Sequence, residues 1–190
     1  MTVEIAKLPI RELKPEDTLY RVHRQEHGPW FFSGGGKGRF DPTVPDRGAC
    51  YLAADQLGAW VEAFRTAMNI EETDVSSRRL TRVDLDRSIF LADLTTRRAL
   101  EAGVTAALTS GADYGPCYQF ADELQGKLDG VLWRVRHDLE QQLLGVAWFG
   151  PEGGQEPDDW PPAVTEPIGS DLIREAEDQF GYKVRPLPPS

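Results

Sequence analysis

The sequence predicts an α+β domain in which short strands are interspersed with helices at uneven intervals. Three observations carry this. Apolar runs of strand length recur at residues 18–23, 49–53, 88–94, 131–136 and 143–149, rich in the residue types that fit a pleated, half-buried surface. The helical patterns between them do not alternate regularly with strands, as a parallel βαβ sheet requires. Gly 18 and Pro 14 imply many turns and argue against an all-helical bundle.

In chain order, residues 18–23 (TLYRVH) have strand composition and residues 30–33 form a short aromatic strand. Gly34-Gly35-Gly36-Lys37-Gly38 is a flexible loop that leads into Arg39-Phe40-Asp41-Pro42. Residues 49–53 (ACYLA) read as a short buried strand. Asp55 caps a helix running to about Met68, with Leu57, Trp60, Val61, Phe64 and Met68 on one face. Residues 70–87 are charged and irregular. A strand follows at 88–94 (SIFLADL), then a short helix at 96–102 ended by Gly103, and another helix at 120–128. Asp129-Gly130 turns into a strand at 131–136, with Val131, Trp133 and Val135 on one face. A loop from His137 to Gln142 joins it to the last apolar strand, 143–149. There is no internal repeat.

A chain of 190 residues and 21.2 kDa suits one domain, or one domain with an appendage. The formal charge of −10 and a pI near 4.8 argue against general nucleic-acid binding, although net charge says little about a single cleft. No apolar run approaches the roughly 20 residues of a membrane span. The start, MTVEIAKLPI, lacks the pattern of a signal peptide. Cys50 and Cys117 make neither a disulfide framework nor a zinc site. The expectation is a soluble cytoplasmic protein with free thiols.

The acidity is concentrated at one end. Residues 151–190 hold nine acids against Arg174, Lys183 and Arg185, a net −6, together with eight of the 14 prolines. Residues 1–150 therefore read as the working domain. Residues 151–190 read as an acidic, Pro-rich extension, extended and polar over 151–169. It ends in a helix capped by Ser170 and stopped by Gly181. Leu172, Ile173, Ala176 and Phe180 form an apolar stripe on that helix, which is expected to pack back on the domain or make an oligomer contact.

Several residues are candidates for chemistry. The glycine loop, with Lys37 and Arg39, offers backbone N–H groups and cations to an anion, or serves as a mobile hairpin connection. It has neither P-loop nor dinucleotide-fold spacing. Arg21 lies inside an apolar strand beside Tyr20, so it pairs with an acid, reaches solvent or faces a cleft. Arg39 has the same readings. Glu62 sits about 140° from the centre of its helix's apolar stripe, counting about 100° per residue. It is solvated and paired with Arg65, or it stands at a cleft wall, where a carboxylate stabilises a developing cation. Tyr51 packs in the core or stacks on a flat ring. His137, at a strand end, reads as a surface residue.

The order of these motifs is more specific than any one of them. Leu19-Tyr20-Arg21-Val22, then Gly38-Arg39-Phe40-Asp41-Pro42, then Cys50-Tyr51-Leu52-Ala53, then Ala59 and Glu62, then Asp129-Gly130-Val131-Leu132-Trp133-Arg134-Val135-Arg136-His137-Asp138 resembles the RES domain over residues 19–149. The resemblance implies an ADP-ribosyltransferase-like fold, a split mixed β-sheet with flanking helices around an NAD cleft. It implies NAD as substrate and cleavage of the nicotinamide–ribose bond by hydrolysis or phosphorolysis. It also implies a toxin paired with an Xre-type helix-turn-helix antitoxin. By position, Arg21 and Glu62 match the family's arginine and glutamate, Arg39 and Tyr51 its further pocket residues, and Tyr20 flanks the first arginine. Arg21, Lys37 and Arg39 would supply cations, Tyr51 stacking and Glu62 the charge that meets a ribosyl cation, with no metal needed. The family serine position holds Val135; Ser33, Ser88 and Ser110 are the candidates to replace it in space. The alternatives are a protein ADP-ribosyltransferase, or a non-catalytic member that binds NAD or a partner.

Overall fold

The computed structural model describes residues 3–186. In chain order the elements are β1 (Ile10–Leu13), β2 (Thr18–Arg24), β3 (Phe31–Phe32), β4 (Arg47–Ala53), α1 (Gln56–Phe64), β5 (Asn69–Glu71), α2 (Glu72–Ser76), β6 (Arg78–Asp84), β7 (Ile89–Asp93), α3 (Arg97–Glu101), α4 (Ala106–Thr109), α5 (Gly115–Leu124), β8 (Gly130–Arg134), β9 (Leu144–Pro151), β10 (Gly153–Gly154), β11 (Ala163–Pro167), α6 (Ser170–Phe180) and β12 (Lys183–Arg185). Among the described residues no helix is long and apolar enough to cross a membrane.

One eight-stranded mixed sheet organises them, in the order β1-β7-β8-β9-β4-β2-β6-β11. Only β7 and β8 run parallel. The sheet is split in the middle. β4 pairs with β9 from Arg47↔Pro151 to Ala53↔Gly145, and β2 with β6 from Thr18↔Asp84 to Arg24↔Arg78. Between β2 and β4, however, the register has one pair, Tyr20↔Ala53. Beyond it the strands part, and the opening is the cleft described below.

Apolar side chains fill both faces. One cluster centres on Phe40, Phe120, Val131 and Trp133 under α4 and α5. A second joins α1 to α6 through Trp60, Val61, Leu172 and Ala176. A third, on the opposite face, packs Trp30, Phe32, Leu52 and Trp148. Asp55 caps α1 by accepting from Gly58 N–H at 2.7 Å, as the sequence predicts. The helix ends at Phe64 rather than near Met68, because Arg65 turns the backbone to φ 51°. Residues 70–87 are less irregular than expected: they contain β6, an interior strand whose apolar residues are hidden among Arg78, Arg79 and Arg82.

The acidic extension is built into this core. β11 pairs along β6 and β10 along β3. Trp160 stacks on Trp30 at 5.3 Å and meets Trp148 edge-on at 5.5 Å. α6 lays Leu172 and Ala176 against the second cluster and ends at Gly181 in the left-handed conformation, φ 72°. β12 then runs parallel to β5. Trp160→Ala is therefore expected to cost about 2–3 kcal/mol of folding stability, since it empties a half-buried aromatic site. Urea unfolding checks this; an unchanged midpoint would show the extension to be an appendage.

Candidate functional site

The cleft is built by a loop, two strands, a helix and a hairpin. Residues 33–41 cross its mouth, and the buried carboxylate of Asp41 holds them. It accepts from the Ser33 hydroxyl at 2.9 Å, from Lys37 N–H at 3.0 Å, from Gly38 N–H at 2.9 Å and from the Tyr51 hydroxyl at 2.8 Å. Tyr51 accepts in turn from Phe40 N–H at 2.8 Å. Gly38 lies so close to Tyr51 and Asp41 that a Cβ would collide with both. The glycine loop is thus tied to β4, not simply a mobile connection.

Tyr51 and Glu62 stand on the shared wall of two adjoining cavities. The larger, about 270 Å³, is lined by Arg21, Arg24, Arg65 and Arg78 together with His23 and His27. The smaller and tighter one brings Arg39, Tyr114, Trp133, Arg136 and His137 around the same Tyr51, Glu62 and Arg65. Arg21 sits in the split of the sheet and donates to the carbonyls of Pro29 and Phe31, the latter at 3.2 Å. Arg39 is buried; it donates to the carbonyls of Gly111 at 3.0 Å and Leu108 at 3.3 Å, with its guanidinium 4.6 Å from the Tyr114 ring centre. None of these arginines makes an ion pair among the described residues. Their donors point to an anionic ligand.

Glu62 is the carboxylate facing them. Burial pushes its carboxyl above the usual range, while Arg65, Arg39 and a hydrogen bond from Trp133 pull it back. The charge of Glu62 also reaches Tyr182, whose phenol burial and that charge raise to about 12. Tyr182 donates to the Arg65 carbonyl at 2.7 Å. The extension therefore holds the backbone of a cleft residue. Across the cleft, His137 is half-buried, and burial and the charges of Arg136, Arg65 and Arg39 lower its imidazole. It stands in the cleft wall, not at a bland surface. Its hairpin is fixed by Asp138, which accepts from Glu140, Gln142 and Leu143 N–H.

The structure thus brings Arg21, Arg39, Tyr51 and Glu62 together. It does not bring in Lys37, whose side chain is exposed on the loop, or Tyr20, which packs with the second apolar cluster. Arg65, Arg136, Trp133 and His137 join them. Arg136 and His137 lie within the motif, but only the hairpin geometry turns them inward. Val135 is buried in the second cluster beneath α1. Ser33 serves Asp41 and Ser88 serves Glu12, whereas Ser110 lines a cavity beside Val135. Cys50 and Cys117 are free and buried, with both thiols raised by burial, so neither is primed as a nucleophile.

Two outcomes follow from this geometry. Tyr51→Phe strands a bond of Asp41 and one of Phe40 N–H, and is expected to cost about 1–3 kcal/mol in chemical unfolding. His23 is buried, donates to the Arg24 carbonyl through Nδ1 and accepts from Thr81 through Nε2 at 2.8 Å. Burial lowers its imidazole to about 4. The neutral form is the folded one, so its contribution is complete above pH 6.5 and lost as pH falls through about 4. Between pH 7 and pH 4 the native chain should lose about 3 kcal/mol relative to His23→Gln. Equal pH dependence of the two would contradict this.

The comparisons agree with the motif order. The solved structure of the M. tuberculosis MbcT–MbcA toxin–antitoxin complex contains a chain 22% identical to this one, with a TM-score of 0.65 over 88% of this chain and 92% of that one. At that identity the likeness is one of fold. No curated protein matches. The RES domain family model matches residues 18–165, which take in the split between β2 and β4 and the whole cleft, and the chain belongs to the RES domain family.

Proposed function

We propose that this protein cleaves the nicotinamide–ribose bond of NAD, with water or phosphate as acceptor, and acts as the toxin of a toxin–antitoxin pair. The observation that carries the reading is Glu62, a carboxylate held at the junction of two arginine-lined cavities with aromatic rings beside it. NAD carries a doubly negative pyrophosphate, a positively charged nicotinamide ring and a second flat ring system. The free donors of Arg21, Arg39 and Arg65 suit its pyrophosphate, and Tyr51 and Tyr114 suit its ring faces. When the C1′–N bond breaks, the electron pair leaves with nicotinamide, which departs neutral, and positive charge develops on the ribose. A fixed carboxylate beside that carbon lowers the barrier. The acceptor then forms the new bond to C1′ and gives up its proton.

Glu62 serves this role only when ionised, and burial opposes ionisation. Its folded carboxyl lies above the unfolded value, so the ionised form costs stability and that cost grows as pH rises. Support for the toxin reading comes from family membership and from the solved toxin–antitoxin relative. The partner is expected to be an Xre-type helix-turn-helix antitoxin, which should relieve growth arrest when the two are expressed together.

The direct test is nicotinamide release from NAD by the purified chain, with and without phosphate. Glu62→Gln should lower release by about 10²-fold or more while leaving the thermal midpoint unchanged or higher. Release by the native chain should fall on acidification through a carboxyl above the ordinary glutamate range. Products should be free ADP-ribose or its phosphate; label transferred to lysate protein would favour ADP-ribosyl transfer instead. No release under either condition would overturn the reading.

A further inference from the structure

The cleavage written above ends with an acceptor that gives up a proton, and Glu62 is committed to the charge on the ribose. The cleft walls offer few other groups to take that proton. Guanidinium, indole and phenol groups do not accept one at neutral pH. His23 spends both ring nitrogens on the Arg24 carbonyl and the Thr81 hydroxyl. His27 lines the larger cavity and stands 3.7 Å from the Glu26 carboxylate. His137 differs from both. It lines the smaller cavity together with Glu62 and Arg65 from the end of α1, Arg39 from the loop over the mouth, Tyr51 from β4 and Tyr114 from the turn before α5, and Arg136 precedes it in the hairpin. Its ring nitrogens make no hydrogen bond among the described residues. Burial, then the charges of Arg136, Arg65 and Arg39, lower its imidazole, so the neutral, proton-accepting form prevails at neutral pH. The smaller cavity measures about 20 Å³, room for about one water molecule and too little for orthophosphate.

We infer that His137 is the general base of the reaction and that a water molecule in the smaller cavity is the acceptor. The assignment rests on the NAD reading above and names its acceptor. As the C1′–N bond breaks, its electron pair leaves with nicotinamide. The water oxygen forms the new bond to C1′, and one of its protons passes to the free imidazole nitrogen. The imidazolium then returns that proton to solvent, which reaches the half-buried ring. Glu62 stays ionised throughout. One side chain holds charge and the other moves a proton.

The test is nicotinamide release from NAD by the native chain, His137→Ala and His137→Gln, with thermal midpoints measured alongside. Both variants should release nicotinamide about 10²-fold more slowly at an unchanged midpoint. Azide is a nucleophile with no proton to remove. It should restore release in His137→Ala, with ADP-ribosyl azide as product, and should not restore it in Glu62→Gln. On acidification the log rate of the native chain should fall with a slope of about 2 against pH, and that of His137→Gln with a slope of about 1, because one protonation is lost. Equal release by the native chain and the His137 variants, or slow variants that azide does not rescue, would overturn the inference and leave the NAD reading standing. Acceleration of the native chain by phosphate, with ADP-ribose phosphate as product, would do the same. No release by the native chain would overturn both.

Discussion

The carboxylate of Asp41 is the interaction on which the cleft depends. A buried carboxylate is unfavourable unless its oxygens are satisfied, and here two backbone N–H groups and two hydroxyls satisfy it. Because those donors come from Ser33, Lys37, Gly38 and Tyr51, one group clamps the glycine loop to the middle of β4. The glycines have a definite task at Gly38, where the backbone must pass within contact distance of the Tyr51 ring and leaves no room for a side chain. The two residues that follow then take fixed positions: Arg39 on the carbonyls of Leu108 and Gly111, and Phe40 in the first apolar cluster. Tyr51 and Arg39, which line one cavity with Glu62, owe their placement to the same anion.

The split in the sheet is stabilised by a second substitution of partners. Past Tyr20↔Ala53, β2 and β4 no longer pair with one another. Arg21, just beyond that pair, reaches the carbonyls of Pro29 and Phe31 and supplies donors where a neighbouring strand would otherwise do so. The guanidinium therefore holds the opening apart and closes its floor. Charge is segregated around it. The acids of the extension lie on the outer surface, while Arg21, Arg24, Arg65 and Arg78 line the interior cavity. A net charge of −10 is thus compatible with a locally cationic cleft, because solvent screens the outer charges more than those at the walls.

Order of motifs along the chain made the fold class and four of the cleft residues legible, because each motif sits where a strand or helix enters the cleft. What stayed hidden has physical causes. β6 was obscured because its arginines face solvent and the cleft while Leu80, Thr81 and Val83 are buried. Arg65 read as a helical partner of Glu62, yet its positive φ ends the helix and turns it into the cavity. His137 and Arg136 depend on a hairpin closed by Asp138, a long-range consequence invisible in local composition. Residues 151–169 read as extended and polar because their charge and prolines dominate. The contacts of the extension are made by a few residues, above all Trp160, Leu172, Ala176 and Tyr182.

Val135 follows the same logic of long-range placement. Along β8 and its continuation, Val131, Trp133 and Val135 point to one face, and residue 135 falls under α1 among apolar neighbours. A valine there preserves packing that a hydroxyl would interrupt, since a buried polar group needs a partner. The donor that Glu62 uses comes from one step earlier on the same face, the Trp133 indole, and it does not depend on residue 135. Trp133 is itself locked by Phe40 and Tyr51, the residues that Asp41 positions. The hydrogen bond to Glu62 is therefore anchored through the same loop, and a valine at residue 135 leaves that chain of contacts unbroken.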